Sequence, residues 1–565
     1  MKEKDGHFLP LTREEAVRLG WRELDVILVS ADAYADHPAF GAALIGRYLE
    51  SLGLAVGIIP QPDWRSTGDF TRLGRPKLFF GVTAGNLDSM VSLYTAQRKI
   101  RSDDPYSENG RPGKRPYLPS LVYTNRLKEA FPGIPVILGG IEASLRRIAH
   151  YDYYTDTVRP SLLLDAKADL LVYGNAEKPL SELVMRLKKG ERIEEIKDIR
   201  GTVIPVKQKE KQKACFGQLL PSYEEVKKEK ERFRDMTRLL AENLNPYQAK
   251  VLYQETGTQA VLVNPPSLPL TSEELDVIYE LPFTRKAHPV YKKGIPGLKV
   301  VENSIAAHRG CYGGCNFCSL FLHQGKTIQS RSISSIQKEV RSLRKQGHSI
   351  VITDIGGPTA NMYGTFCRDK EKQKSCTRRS CLYPRICSSL NVSSGKYREL
   401  LKTIRDMEGV KAVFINSGIR YDLALLNPDF MDELVQYHTP GQLSIAPEHS
   451  VASVLQVMGK PLINLYDEFS RIFYNKCKKA NKKQYLIPYF ITGHPGADEG
   501  TEEELGQYLQ KNRIRVEQIQ EFYPTPMSLS TAIYHTGLDV FSARRINSEK
   551  KLSMKKHWKA LLIKK

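Results

Sequence analysis

Between about Asp25 and Gly174, short apolar runs alternate with stretches of helical periodicity. The runs are Asp25–Ser30, Ala55–Ile59, Lys77–Val82, Ile134–Gly140 and Leu170–Gly174, each bounded by polar or glycine positions. Apolar runs of strand length separated by helical patterns predict a parallel sheet with helices on both faces. The first helix is predicted over His37–Leu52, where Phe40, Leu44, Ile45, Tyr48 and Leu49 recur at helical spacing. Polar and glycine residues gather after the strands, where a doubly wound sheet places its ligand crevice.

From about Val206 to Gly297 the alternation lapses and the chain reads as a connector. Tyr223–Phe233 is a charged stretch of mixed sign, expected as a solvated helix, and Asn264-Pro265-Pro266 and Leu281-Pro282-Phe283 interrupt regular structure. From about Val300 to Thr525 six strand-like segments return, with a helix between most pairs. They are the run into His308, then Ser349–Asp354, Lys411–Asn416, Gln442–Ala446, Tyr485–Phe490 and Val516–Gln520. Six β/α units on a parallel sheet predict a partial barrel with its chemistry at the C-terminal ends of the strands. The expected fold class is therefore α/β. A doubly wound N-terminal sheet spans 1–205 and a connector 206–296; a partial (β/α)6 barrel follows over 297–538, with an insertion at 361–390 and a basic segment over 539–565.

Composition narrows the setting. With 565 residues, 41% hydrophobic and 26% charged, the chain is an ordinary globular one. It holds no apolar run long enough for a bilayer, and its start, Met1 to His7, lacks the apolar core of a signal peptide; a cytoplasmic protein is expected. A formal charge of +21 favours polyanions and makes nucleic acid a candidate partner, with no recognition motif beside it. Nine cysteines in a reducing compartment read as metal ligands or buried thiols, and seven of them fall between Cys311 and Cys387. Cys215 and Cys477 stand apart and read as a small buried residue or an inert surface thiol.

The chemistry concentrates in His308-Arg309-Gly310-Cys311-Tyr312-Gly313-Gly314-Cys315-Asn316-Phe317-Cys318. Its C-x-x-x-C-x-x-C spacing lets three thiolates reach three irons of one cubane cluster and leaves the fourth iron open for a ligand. A structural zinc knuckle is the alternative, with His308 or His323 as fourth ligand. The loop directly follows the first barrel strand, which favours the cluster.

This spacing, with Phe317 before the third cysteine, resembles the signature of the radical S-adenosylmethionine (radical SAM) superfamily. The resemblance implies a [4Fe-4S] cluster whose open iron binds S-adenosylmethionine, reductive cleavage to methionine and a 5′-deoxyadenosyl radical, and an electron donor such as flavodoxin or ferredoxin. It also implies cosubstrate contacts. Ile355-Gly356-Gly357-Pro358 is similar to the glycine-rich segment that meets the cosubstrate's amino group, with proline where glutamate is frequent. Arg420, in Ser417-Gly418-Ile419-Arg420-Tyr421-Asp422, is placed to pair with the cosubstrate carboxylate, or forms a surface ion pair with Asp422. Glu448, His449 and His494 end later strands, where they would bind ribose or substrate or shuttle protons.

Cys367, Cys376, Cys381 and Cys387 form a second set, interleaved with Lys and Arg, in a stretch with little apolar material to hold it. Their C-x8-C-x4-C-x5-C spacing is expected to carry structural zinc, a second iron–sulfur cluster, or four unliganded thiols. Some radical SAM proteins begin with a cobalamin-binding domain marked by Asp-x-His-x-x-Gly. Here Asp36 directly precedes His37 and Gly41 follows four residues on, so the motif is not met. The architecture is expected to be cobalamin-domain-like with cobalamin itself in doubt, and His37 reads as a turn or cap residue. Across its length the chain resembles the YgiQ-type radical SAM proteins. Asp36-His37-Pro38, Gln61-Pro62-Asp63-Trp64, Gly139–Arg147, the cysteine loop, Gly357–Tyr363 and Phe522–Pro526 carry that likeness. Longer members of that family end in a basic low-complexity tail. Residues 539–565, with nine Lys or Arg against two acidic residues, read as a shortened form of it. A non-catalytic, metal-stabilised RNA-binding protein is the rival reading, resting on the charge and the basic cysteine loop.

Overall fold

The computed structural model describes residues 6–207, 217–344, 349–514, 516 and 519–563, so Cys215 and part of the expected strand Val516–Gln520 lie outside the described residues. The chain divides into two compact units, Met1–Leu268 with Leu281–Glu302, and Pro269–Glu280 with Asn303–Lys565.

In the first unit the expected runs become strands β1 (Val26–Ser30), β2 (Val56–Pro60), β3 (Phe79–Thr83), β4 (Val136–Gly139) and β5 (Leu170–Val172). All five are parallel. Both faces of β1, β2 and β5 are buried, which is why their sequences are continuous apolar runs rather than alternating ones. The sheet does not stop there. β6 (Thr202–Lys207), β7 (Gln218–Leu219), β8 (Leu252–Thr256) and β9 (Gln259–Val263) extend it to nine strands among the described residues, in the order β2-β1-β3-β4-β5-β6-β9-β8-β7. The stretch expected as a connector therefore completes the sheet. β8 and β9 form an antiparallel hairpin turned at Glu255–Gln259, and Val261 and Val263 join the buried side. The expected helix at His37 begins only at Gly41 and runs to Ser51, because residues 35–40 form a turn in which His37 Nδ1 accepts the Ala39 N–H at 3.0 Å.

The second unit holds β10 (Ser304–Ala306), β11 (His308–Arg309), β12 (Gln329–Ser330), β13 (Ile350–Ile352), β14 (Asp354–Gly356), β15 (Val410–Val413), β16 (Gln442–Glu448), β17 (Tyr485–Thr492) and β18 (Gln520–Glu521). Its parallel pairs are β10 with β14, β13 with β15, β16 with β17, and β17 with β18. β16 and β17 alternate between covered and open positions, leaving one face of each available to the interior side. Helices Gly395–Arg405 and Ile463–Lys479 bury Leu400, Leu401, Ile404, Phe469 and Phe473 in the core shared with β13, β15 and β16. Cys477 belongs to that core, in keeping with its reading as a small buried residue. The basic C-terminal segment is not a loose tail over its described part. Leu552–Ile563 is a helix that buries Trp558, and its Leu562 packs with Phe490, Leu505 and Leu509. None of the described helices is long and apolar enough to cross a membrane.

Candidate metal centre

The cysteine loop is strung between β11 and β12, which pair antiparallel and bring its two ends together. The Gly310 N–H donates to Gln324 Oε1 at 3.1 Å and the Cys311 N–H to the Gly325 carbonyl at 3.0 Å. Two glycines are required by this path. Gly310 has φ +87° and a Cβ there would lie 2.1 Å from the Thr327 carbonyl oxygen; Gly314 has φ +61° and its Cβ would meet Ser380 Cβ at 3.0 Å. Asn316 fastens the middle of the loop to two helices. Its N–H donates to Met458 O at 2.8 Å, its side-chain amide to Val457 O at 2.7 Å, and its carbonyl accepts the Ser530 N–H at 2.9 Å.

Cys311, Cys315 and Cys318 are unpaired thiols, each partly buried. Two of their sulfurs flank one glycine: a Cβ on Gly313 would stand 3.4 Å from Cys311 Sγ and 4.0 Å from Cys315 Sγ. Burial pushes the Cys318 thiol up to about 12 and raises Cys311, and the neighbouring cysteines add to both shifts. Such burial favours protonation of Cys311 and Cys318 until a bound cation draws the protons off. Among the described residues no three His, Cys, Asp or Glu side chains converge on the centre of a single metal ion. A cubane cluster makes no such demand, since it spreads its thiolates over separate irons. Three soft donors around a glycine gap fit that group.

Arg420 lies beside the trio. It is buried, and its Nε and Nη2 donate to the two carboxylate oxygens of Asp422 at 2.9 and 2.6 Å. The ion pair expected at the surface is thus an interior one. Burial opposes the Asp422 charge, and the Arg420 guanidinium outweighs it, holding the carboxyl below its usual range. The remaining nitrogen, Nη1, stands 3.6 Å from Cys315 Sγ. The Nε–Nη2 edge is engaged by Asp422, which leaves Nη1 turned toward the cysteine loop.

The other expected contacts ring the same strand ends. Gly356 ends β14 so close to β15 that a Cβ would lie 2.0 Å from Ser417 Oγ, and one on Gly357 would lie 2.6 Å from the His308 carbonyl oxygen. Glu448 ends β16 with φ +73°, a strained backbone for a non-glycine residue, and its Oε1 is 3.7 Å from Lys460 Nζ. Phe317 packs edge-on against His494, ring centres 6.1 Å apart. Burial lowers His449 and His494 to about 3, so both are neutral near pH 7. His494 shares a 2.7 Å hydrogen bond between Nε2 and Ser530 Oγ.

Residues outside the motif complete the loop, and no local pattern announced them. Ser380 Oγ donates to the Gly313 carbonyl at 2.6 Å, and Arg379 donates to Gly314 O and Asn316 Oδ1. Both belong to the second cysteine stretch, whose Cys381 N–H donates to Tyr312 O at 3.0 Å. Cys367, Cys376, Cys381 and Cys387 all line one cavity of about 380 Å³, together with Lys326, Lys370, Lys372 and Arg378.

Comparison with known proteins decides the family. The profile described as Radical SAM N-terminal matches residues 8–304, and a domain of unknown function matches 517–562. A UPF0313 protein of Geobacter sulfurreducens is 48% identical over 557 residues, covering 98% of this chain and 92% of that one. The UPF0313 protein YgiQ of Escherichia coli K12 is 45% identical over 586 residues, covering 94% and 79%. The chain belongs to the UPF0313 (YgiQ) family. Among solved structures this UPF0313 chain is similar to the radical SAM methyltransferase TsrM from Kitasatospora setae, with a TM-score of 0.49 at 14% identity, covering 89% of this chain and 75% of that one. It is similar also to OxsB, a cobalamin-dependent S-adenosylmethionine radical enzyme, with a TM-score of 0.46 at 10% identity, covering 92% and 55%. At those scores neither likeness bears on function.

Cobalamin does not fit the residues present in the UPF0313 chain. His37 is 1% exposed and its Nδ1 caps a turn. The space beside it, lined by Ser30, Asp32, Tyr34 and Phe40, is a cavity of about 10 Å³, room for roughly one water. Above the ends of β1 and β3, Arg115 bridges Asp32 at 3.0 Å and Asp104 at 2.8 Å, and with Asp104, Trp64 and Tyr117 it lines a cavity of about 340 Å³.

Proposed function

We propose that this UPF0313 chain is a radical SAM enzyme whose Cys311, Cys315 and Cys318 hold a [4Fe-4S] cluster. When bound, that cluster would supply the electron that splits S-adenosylmethionine into methionine and a 5′-deoxyadenosyl radical, which takes a hydrogen atom from the substrate. The observation that carries this is a loop whose Cys311 and Cys315 sulfurs flank Gly313 and whose Cys311 and Cys318 thiols are desolvated, in a chain of the radical SAM N-terminal family.

The protein's own residues bind, orient and shield. Arg420 turns Nη1 toward Cys315 Sγ, and Asp422 fixes the guanidinium in that direction. Gly356 and Gly357 let the backbone at the end of β14 come close without side chains, so that carbonyl groups can accept from the cosubstrate's amino group. Glu448, held in a strained conformation beside Lys460, binds the cosubstrate, and Phe317 packs over the loop. His449 and His494 stay neutral and act as fillers and hydrogen-bond partners.

In this reading the first unit is a doubly wound sheet and β10 to β18 with their helices form a partial (β/α)6 barrel. The enzyme works in the cytoplasm and takes electrons from a flavodoxin- or ferredoxin-class donor. The RNA-binding alternative rests on the net charge and the basic cysteine loop, with no recognition motif beside them.

The test is anaerobic reconstitution, reduction and an assay for 5′-deoxyadenosine. Product is expected from the unaltered chain and none from Cys315→Ala. A Cys315→Ala protein that still made product would end the proposal.

A further inference from the structure

The second cysteine set gathers apart from the first, on the wall of a cavity of its own. Its four residues come from separate places: Cys367 from the short strand Phe366–Cys367, Cys376 from just past the helix Lys370–Lys374, and Cys381 and Cys387 from the turn that follows. Folding brings all four to the wall of one cavity of about 380 Å³. The Cys387 N–H donates to Cys381 O at 2.8 Å, closing the turn that presents both thiols. Their side chains pack beside Cys311 on a small core of Tyr312, Met362, Leu382 and Leu390. That core, with Leu423 as its fifth buried member and Ile328, Ile386 and Val392 half-buried against it, is small for a segment of this length, so a ligand in the cavity would supply what it does not.

The cavity's charge points to the kind of ligand. Lys326 Nζ lies 3.6 Å from Cys376 Sγ and donates to Arg378 O at 2.6 Å, and Lys370, Lys372 and Arg378 share the wall. A single zinc draws four sulfurs to about 2.3 Å from one centre and needs no cavity of this size. A four-iron, four-sulfide cluster with four thiolates fills a larger space and is net anionic, so lysines and arginines around it complement its charge.

We propose that Cys367, Cys376, Cys381 and Cys387 hold a second [4Fe-4S] cluster. With every iron bound by the protein, this cluster has no open position for a cosubstrate. Its role is to take one electron from a flavodoxin- or ferredoxin-class donor and release one electron to an acceptor. The acceptor is the centre at the first loop, to which this segment is bonded through Cys381 N–H to Tyr312 O and Ser380 Oγ to Gly313 O. That last step rests on the function proposed above; the metal site itself does not.

The full chain, reconstituted without oxygen, is assayed for iron, acid-labile sulfide and zinc. About eight irons per chain are expected, falling to about four in Cys315→Ala and to about four in Cys381→Ala. The Cys315→Ala protein should keep its visible absorption band and give an electron paramagnetic resonance signal of a reduced four-iron cluster. Because that variant leaves the second site untouched, it decides the matter even if Cys381→Ala fails to fold. One zinc per chain and no iron in Cys315→Ala would overturn the proposal, as would an iron content unchanged by Cys381→Ala in a folded protein. Loss of iron only on Cys315→Ala would leave the first reading standing and remove this one.

Discussion

The two units carry parallel strands ending in loops, yet the loops are filled in opposite ways. Above the first unit's sheet, Arg115 spans Asp32 and Asp104, Arg146 pairs with Asp88, and Arg47 pairs with Asp36, all buried. Charge there is cancelled by the chain itself. At the strand ends of the second unit the thiols of Cys311, Cys315 and Cys318 have no such partners in number. Arg420, paired with Asp422, leaves a nitrogen toward sulfur, and Arg379 donates to the loop's own Gly314 and Asn316. The two rims thus differ in how buried polar groups are met, by paired side chains in the first unit and by thiols that call for a ligand in the second, since function resides in what the loops present.

Substitutions at the two rims should separate cleanly. Cys318→Ser should remove the iron of the first site and all 5′-deoxyadenosine formation while moving the thermal unfolding midpoint little in the metal-free chain. Equal losses of stability and cleavage would blur the contrast. Arg115→Ala should do the reverse, costing about 3–5 kcal/mol because it strands two buried carboxylates. Denaturation of the intact protein reads this, and a cost below about 1 kcal/mol would mean the rim is not held by charge.

A third change probes a carboxyl at the second rim. Glu502 accepts from the Gly493 N–H at 2.7 Å, and burial pushes it up to about 7 from an ordinary 4.5. The folded state then holds a proton that the unfolded state releases. The stability this confers is full below pH 4.5 and is lost as pH rises toward 7, by on the order of 3 kcal/mol. Glu502→Gln should flatten that slope. A slope equal to that of the unaltered protein would show that Glu502 titrates normally. The smallest effect is expected from Arg420→Gln, about 10- to 100-fold in cleavage rate, with iron retained and the reduction potential of the first site shifted. An unchanged potential would remove Arg420 from the electrostatics of that centre.

Much of this was legible before folding. The strands β1 to β5 announced themselves because parallel strands buried on both faces must be apolar throughout, and the cysteine spacing announced soft donors because short loops bring them together whatever surrounds them. β7 to β9 were read as a connector because a charged helix, Lys230–Glu242, lies among them and their own runs are short. The histidines at the rim looked titratable, since nothing local reveals that His449 and His494 will be dehydrated.

The sequence by itself determined the local matters: the period of the first strands, the glycines at Gly310 and Gly314, and the identity and spacing of the thiols. Only the tertiary structure decided that Arg420 is committed to Asp422 and turns one nitrogen to Cys315, that Arg115 bridges two buried carboxylates in the first unit, and that four scattered cysteines share one cavity. The division has a physical cause. Periodicity and spacing act within a few residues, whereas desolvation and ion pairing depend on groups far apart in the chain and acquire their strength only once folding has excluded water between them.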